Sequence, residues 1–228
     1  MLIDKTSHKK LCKCDIKLGK SLSEKRWYPY DISIYVEFLN NYIDDLHKDL
    51  RKNIAYNMQY LEYLHQTYEE LSLSSVITTQ NHKSFIIFSV SIIECILYYW
   101  LVSSGYEITK EWNQFHSQTI PKGKMRATII FESKPEMNLE AMIETAKKKN
   151  LFETDNTLYD DLHELRQLRN KTHMYNPKDQ ETDWHVFNRK QLALAKSALF
   201  KIFIILFKPN PNQEKIINFL KTELIYQK

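Results

Sequence analysis

The sequence predicts an all-α bundle of five or six helices with a long N-terminal helix, and three observations predict it. Only three glycines (Gly19, Gly105 and Gly123) occur in 228 residues, where average usage of about 7% would give roughly 16. Backbone positions that need positive φ are therefore few, which counts against hairpin-rich sandwiches, propellers and barrels. Long stretches free of proline and glycine keep apolar residues at spacings of three and four, the signature of amphipathic helices. A composition of 43% hydrophobic and 26% charged residues is that of an ordinary globular chain, long enough to bury one core without disulfides or a structural metal.

The helices follow in order. Residues 1–30 are lysine-rich and aperiodic and read as a basic arm closed by Trp27-Tyr28-Pro29-Tyr30. The bundle proper is expected over 31–207. Asp31 or Ser33 caps a helical pattern that runs to about Leu73, as one long helix or two with a bend. Its apolar positions are Ile34, Phe38, Leu39, Tyr42, Ile43, Leu46 and Leu50, continued by Tyr56, Tyr60, Tyr63, Leu64 and Tyr68. Phe85 to Val102 is apolar almost throughout, with Glu94 at its centre. At about 18 residues it is near the lower limit for a bilayer span, and a central charge is costly there. A buried central helix is the expectation, with Glu94 turned to a polar partner or a cleft, and no membrane association. After an irregular stretch to Pro135, Asn138 caps a helix through Lys149, and Thr154 or Asp155 caps the next through about Thr172. Asp183 opens a helix from Trp184 to Phe207. Asn210-Pro211, with Gln213 at the capping-box position, opens a last helix in a C-terminal element over 208–228.

Several function classes fall away. No two glycines stand at the spacing of G-x-G-x-x-G or G-x-x-x-x-G-K-[ST], so Rossmann-type dinucleotide enzymes and P-loop NTPases are excluded. The net charge of +4 and pI of about 8.7 permit a polyanionic partner without arguing for one. Cys12, Cys14 and Cys95 are odd in number and sparse, which suits a reducing compartment. The N-terminus has no apolar core of a signal peptide, and a cytoplasmic location is expected. Cys12-Lys13-Cys14 with His8 is half a metal site at most, since no second pair follows at finger spacing. No cofactor is expected. His65, His82, His116 and His185 read as surface or helix-end histidines.

The informative stretch is Asp160-Asp161-Leu162-His163-Glu164-Leu165-Arg166-Gln167-Leu168-Arg169-Asn170-Lys171-Thr172-His173-Met174-Tyr175. At about 100° per residue, with His163 at zero, Arg169 falls near 240°, His173 near 280°, Arg166 near 300° and Asn170 near 340°. Leu158, Leu165, Leu168 and Thr172 occupy roughly 140–220°, the core-facing stripe, with Leu162 at the seam. Two guanidiniums, an amide and an imidazole thus share one face beside the core. Acidic residues early and basic residues late also suit the helix macrodipole, so a dipole-matched surface helix explains the charges equally well.

Leu165 through Tyr175 resembles the signature of HEPN domains, small helical bundles marked by an arginine, a polar residue and a histidine a few positions on. Leu139 to Phe152 resembles the amphipathic helix that precedes the motif helix in that family, and the apolar helix around Glu94 resembles an earlier one. The likeness covers roughly residues 35–207. It departs in spacing: three residues separate Arg169 from His173 where the family has four to six, while six separate Arg166 from His173. Arg169 has the expected Asn170 after it, and Arg166 has the expected distance. The resemblance implies a metal-independent endoribonuclease, often a toxin or defence effector, acting as a homodimer with a composite active site. Arg169, His173, Asn170 and Arg166 would be catalytic, and Lys171 and Tyr175 would bind substrate. RNA is the implied partner, with an antitoxin or regulatory protein beside it. RNA carries its own 2′-OH nucleophile; histidine can move the proton, and arginine can fork onto phosphate oxygens. Lys147, Lys148, Lys149, Lys122, Lys124 and Arg126 are candidates to follow the backbone. A non-catalytic module binding RNA, a nucleotide or a protein is the alternative, and a structural helical adaptor a third.

Overall fold

The structure is a computed structural model that describes residues 29–104, 138–153, 155–171 and 183–222. His173, Tyr175, Cys12, Cys14, His116 and the basic cluster of Lys122, Lys124 and Arg126 lie outside the described residues. Among the described residues the regular structure is entirely helical. The α-helices are α1 (Ile32–Asn40), α2 (Lys48–Glu70), α3 (Ser75–Ser103), α4 (Leu139–Lys148), α5 (Asn156–Asn170), α6 (Asp183–Val186), α7 (Arg189–Ile202) and α8 (Pro211–Glu214). A 3₁₀ turn, Asp45–His47, precedes α2; a π-helical segment, Phe203–Phe207, prolongs α7; a 3₁₀ helix, Lys215–Leu220, follows α8.

α3 is the central post, packed against α2, α4, α5, α6 and α7. It is long and apolar enough to cross a membrane by length and composition, and 56% of its most apolar stretch is buried within the bundle. Ile86, Val90, Ile93, Leu97 and Leu101 are buried on one side of it, and Phe85, Ile92, Ile96 and Tyr99 carry the burial further round the helix. Burial on several faces is what an element without an amphipathic stripe needs.

The caps read from the sequence recur in the structure. Asp31 accepts from the Ser33 amide (2.9 Å), Asn138 from the Ala141 amide (2.8 Å), and Asp155 from the Leu158 amide (3.3 Å). Asn210 and Gln213 form a full capping box around Pro211.

The central helix α3 starts at Ser75, ten residues ahead of the apolar run from Phe85, and three other boundaries differ from expectation, each for a local reason. The long N-terminal helix is interrupted between Asn40 and Lys48. The Asn41 side chain donates to the carbonyls of Glu37 (3.1 Å) and Phe38 (3.2 Å), and Asp44 caps the following 3₁₀ turn through the His47 amide (3.2 Å). Short polar side chains compete with the backbone in this way and end helices. The expected helix from Trp184 to Phe207 is likewise split, because Asn188 accepts from the amides of Lys190 and Gln191 (2.9 and 3.3 Å) and starts α7 afresh. The last helix keeps only one α-turn before it tightens into 3₁₀.

The face assigned to α2 also needs correction. Its buried stripe is Ile54, Ala55, Met58, Leu61 and Leu64, while Tyr56, Tyr60 and Tyr63 are exposed. Tyrosine is amphipathic, so the more apolar stripe takes the core. Leu46, expected inside, is exposed because it falls in the break.

Two of the histidines expected at the surface or a helix end are drawn into the bundle, His82 fully and His65 in part. His82 is buried, its ring 4.9 Å from that of Tyr68. His65 on α2 meets the buried Lys196 of α7 (Nδ1 to Nζ 3.3 Å) and stacks on Phe219. Burial, and then the Lys196 charge, lower the His65 pKa from 6.5 to about 4. The unfolded chain therefore binds this proton first. The stability contribution is intact above pH 6.5 and is lost as pH falls toward 4, up to about 3 kcal/mol in all. Urea unfolding across that window is expected to show the loss, and His65→Gln, which keeps an acceptor beside Lys196, is expected to lessen the slope.

Candidate functional site

α5 is built as its periodicity requires. Leu158, Leu162, Leu165 and Leu168 are all buried, so the seam residue Leu162 joins the core stripe. Tyr159 is buried too, its hydroxyl donating to the Ala146 carbonyl (3.3 Å) and accepting from the Phe152 amide (3.1 Å). These contacts tie the start of α5 to the end of α4 and fix the rotation of the helix.

That rotation turns His163, Arg166 and Arg169, three residues apart, toward α4 and α3. Each meets a carboxylate. His163 Nε2 lies 3.0 Å from Glu144 Oε1, Arg166 Nη1 donates to Glu140 Oε2 (3.1 Å), and Arg169 Nη1 donates to Glu94 Oε2 (2.6 Å). Glu140 and Glu144 are one helical turn apart on α4, so the two helices are laced pair by pair. The sequence points to Glu94 as a buried-helix acid in need of a partner, and Arg169 is that partner. Glu140 and Glu144 were missed. Their i, i+4 spacing opposite an i, i+3 basic series was the available signal.

The Arg169–Glu94 pair is partly open, with side-chain exposures of 37% and 30%. Asn170 is exposed on the last turn, and the Lys171 amide closes the helix onto the Gln167 carbonyl (3.2 Å). Burial, and then the Glu94 carboxylate, push the neighbouring Cys95 thiol up, so it is held as the thiol, without a nucleophile's charge. Lys147, Lys148 and Lys149 are exposed around the C-terminus of α4, where they complement the macrodipole. Among the described residues, no three of His, Cys, Asp and Glu are grouped to hold a metal ion.

Both candidate arginines thus lie on the predicted face, and both are charge-compensated within one chain. His173, the histidine of the same stretch, is four residues beyond Arg169 and outside the described residues. A half-exposed pair of this kind contributes about 0.2–1 kcal/mol. A double-mutant cycle of Glu94→Gln with Arg169→Gln, read by urea unfolding, is expected to return a coupling in that range.

No family model matches the chain, and no curated protein or solved structure matches it either.

Proposed function

We propose that the chain is a HEPN-type endoribonuclease that needs no metal and cleaves RNA through attack of the 2′-OH on the adjacent phosphate. The observation that supports this best is Arg169, anchored by Glu94 at the open end of a core-packed helix, four residues ahead of His173 in sequence. A guanidinium has five N–H donors. Arg169 can keep Glu94 through Nη1 and still present a fork to a phosphate oxygen, with Glu94 acting as a positioning residue. His173 then moves the proton from the 2′-OH or to the leaving oxygen. Asn170 is exposed beside the arginine and supplies an amide for the imidazole or the phosphate. Lys171 and Tyr175 would hold substrate. Arg166, tied to Glu140, is the substitute arginine at the family's usual distance from His173. A homodimer that brings two motif helices together would double the cationic charge over one RNA strand, in keeping with a toxin or defence effector.

A second reading has its own support. Carboxylates answer both arginines, and the Arg169–His173 spacing is compressed. Both features suit a HEPN-like module that binds RNA, a nucleotide or a protein without cutting.

Incubating the chain with labelled RNA in EDTA tests both. Cleavage to a 2′,3′-cyclic phosphate end is expected. Binding without cleavage would select the module, and neither result would leave a structural adaptor. Light scattering at micromolar concentration is expected to return a dimer mass, and a strictly monomeric mass would remove the composite site.

A further inference from the structure

We infer that the open face of α3 is the surface on which two copies of this chain pair, their α3 helices antiparallel and a two-fold axis crossing them between Phe88 and Ser91. The inference rests on the homodimer proposed above and names its interface.

Apolar surface is concentrated on this side of the bundle. Among the described residues eight large apolar side chains are exposed, and six of them lie on α2 and α3: Tyr56, Tyr60, Tyr63, Val76, Ile77 and Val102. On α3, at about 100° per residue, Ile77, Ser84, Phe88, Ser91, Cys95 and Tyr98 fall within one arc of roughly 80°. Ile77 is exposed and the other five are half-buried. The tyrosines of α2 edge this arc on one side. Tyr60 sets its ring edge-on against Phe88 (4.9 Å between ring centres) and stacks on Tyr63 (6.1 Å). The Glu94–Arg169 pair edges it on the other side. A contiguous apolar surface rimmed by polar groups marks an interaction site, and aromatic residues without charges are the composition of an interface centre.

The charges select the partner. Over residues 75–103 the only Asp, Glu, Lys or Arg are Lys83 and Glu94, opposite in sign and about 20° apart on the same edge of the arc. Antiparallel helices related by a two-fold axis meet like edge to like edge, so each surface must complement itself. Here it does: the axis between Phe88 and Ser91 brings Lys83 of one copy within two positions of the second copy's Glu94, and symmetry repeats the pair. Each charge is already answered within its own chain, Lys83 by Asp183 (3.0 Å) and Glu94 by Arg169 (2.6 Å). Pairing extends these contacts into a row of alternating sign, Asp183 and Lys83 followed by the second copy's Glu94 and Arg169. A polyanion or a lipid surface would make no use of such alternation. In the same register Phe88 faces the second copy's Ser91, Ser84 its Cys95, and Ile77 its Val102, so the largest ring at the centre meets a small side chain. Both α5 helices then lie on one side of the dimer, as a composite site requires.

Cysteine cross-linking of the full chain tests the register. With Cys12→Ser and Cys14→Ser as background, Ser84→Cys is expected to form a disulfide-linked dimer through Cys95 on mild oxidation, read on a non-reducing gel. Cys95 alone, and Ser84→Cys combined with Cys95→Ser, should give at least about tenfold less. In each of these the two thiols lie roughly 16 Å apart along the helices, beyond disulfide reach. Ser91→Arg, at the centre of the face, is expected to weaken the dimer about a hundredfold by light scattering across concentrations, because a guanidinium is buried there without a partner. Helicity by circular dichroism should be unchanged, and the cross-link decides alone should Ser91→Arg fail to fold. No cross-link in the two-thiol chain, equal cross-linking in the single-thiol chains, or a dimer that survives Ser91→Arg would overturn this face and leave the homodimer standing on another surface. A monomeric parent would overturn both, while cleavage of RNA in EDTA would still decide the ribonuclease.

Discussion

RNA incubated with the His173→Ala variant is expected to be cut about 10²–10⁴-fold more slowly than with the parent chain, the usual loss when a positioned general acid or base is removed. Arg169→Lys should also be strongly impaired, because an ammonium cannot reproduce the fork that holds two phosphate oxygens. A substrate with a single 2′-deoxy nucleotide at the cut site should be inert, since it lacks the nucleophile. Gel analysis of end-labelled RNA, with and without EDTA, reads all three. Full activity of His173→Ala, or scission at the deoxy position, would refute the mechanism. Thermal unfolding of both variants should stay close to that of the parent, and this separates lost chemistry from lost structure.

The second large effect is on stability, and it contrasts two faces of one helix. Leu165 is 1% exposed, and Leu165→Ala should cost about 2–5 kcal/mol, the transfer energy of the lost carbons plus the cavity they leave. For a chain of this size that lowers the melting temperature by roughly 10 °C. Arg169→Ala, one helical turn on, removes only the partly exposed pair with Glu94 and should cost about 1 kcal/mol or less. Differential scanning calorimetry on the two variants measures the contrast. Equal losses would mean that the guanidinium is a structural strut of the bundle, and would weaken the proposed site.

The Glu94–Arg169 contact joins residues 75 positions apart, on helices that need not have been neighbours. A bundle can place its motif helix against any apolar stripe. This one places α5 against α3 and α4, and so brings a central acid and a terminal arginine to one edge. The same packing gives Arg166 and His163 to α4. The aligned basic face is therefore not a free cationic surface but one half of a ladder, and any phosphate that binds there must share the arginines with Glu94 and Glu140.

Helix existence, the caps at Asn138 and Asn210, and the inward stripe of α5 were determined by the sequence alone, which narrowed two further caps to Asp31 or Ser33 and to Thr154 or Asp155. Each depends on residues within one or two helical turns: a short polar side chain reaching the first free amides, or leucines recurring on one face. What depended on the rest of the chain was decided only by the tertiary structure. Whether Tyr56, Tyr60 and Tyr63 or Ile54, Met58 and Leu61 face the core depends on which stripe α3 covers, and the more apolar one took it. Whether His65 is solvated depends on Lys196 of α7 and Phe219 of the C-terminal segment, more than a hundred residues away. Which carboxylate answers each basic residue of α5 depends on the order in which helices pack. Local spacing can place a charge on a face, but only packing supplies the opposing charge, because the energy that positions the helix comes from buried leucines and not from the charges themselves.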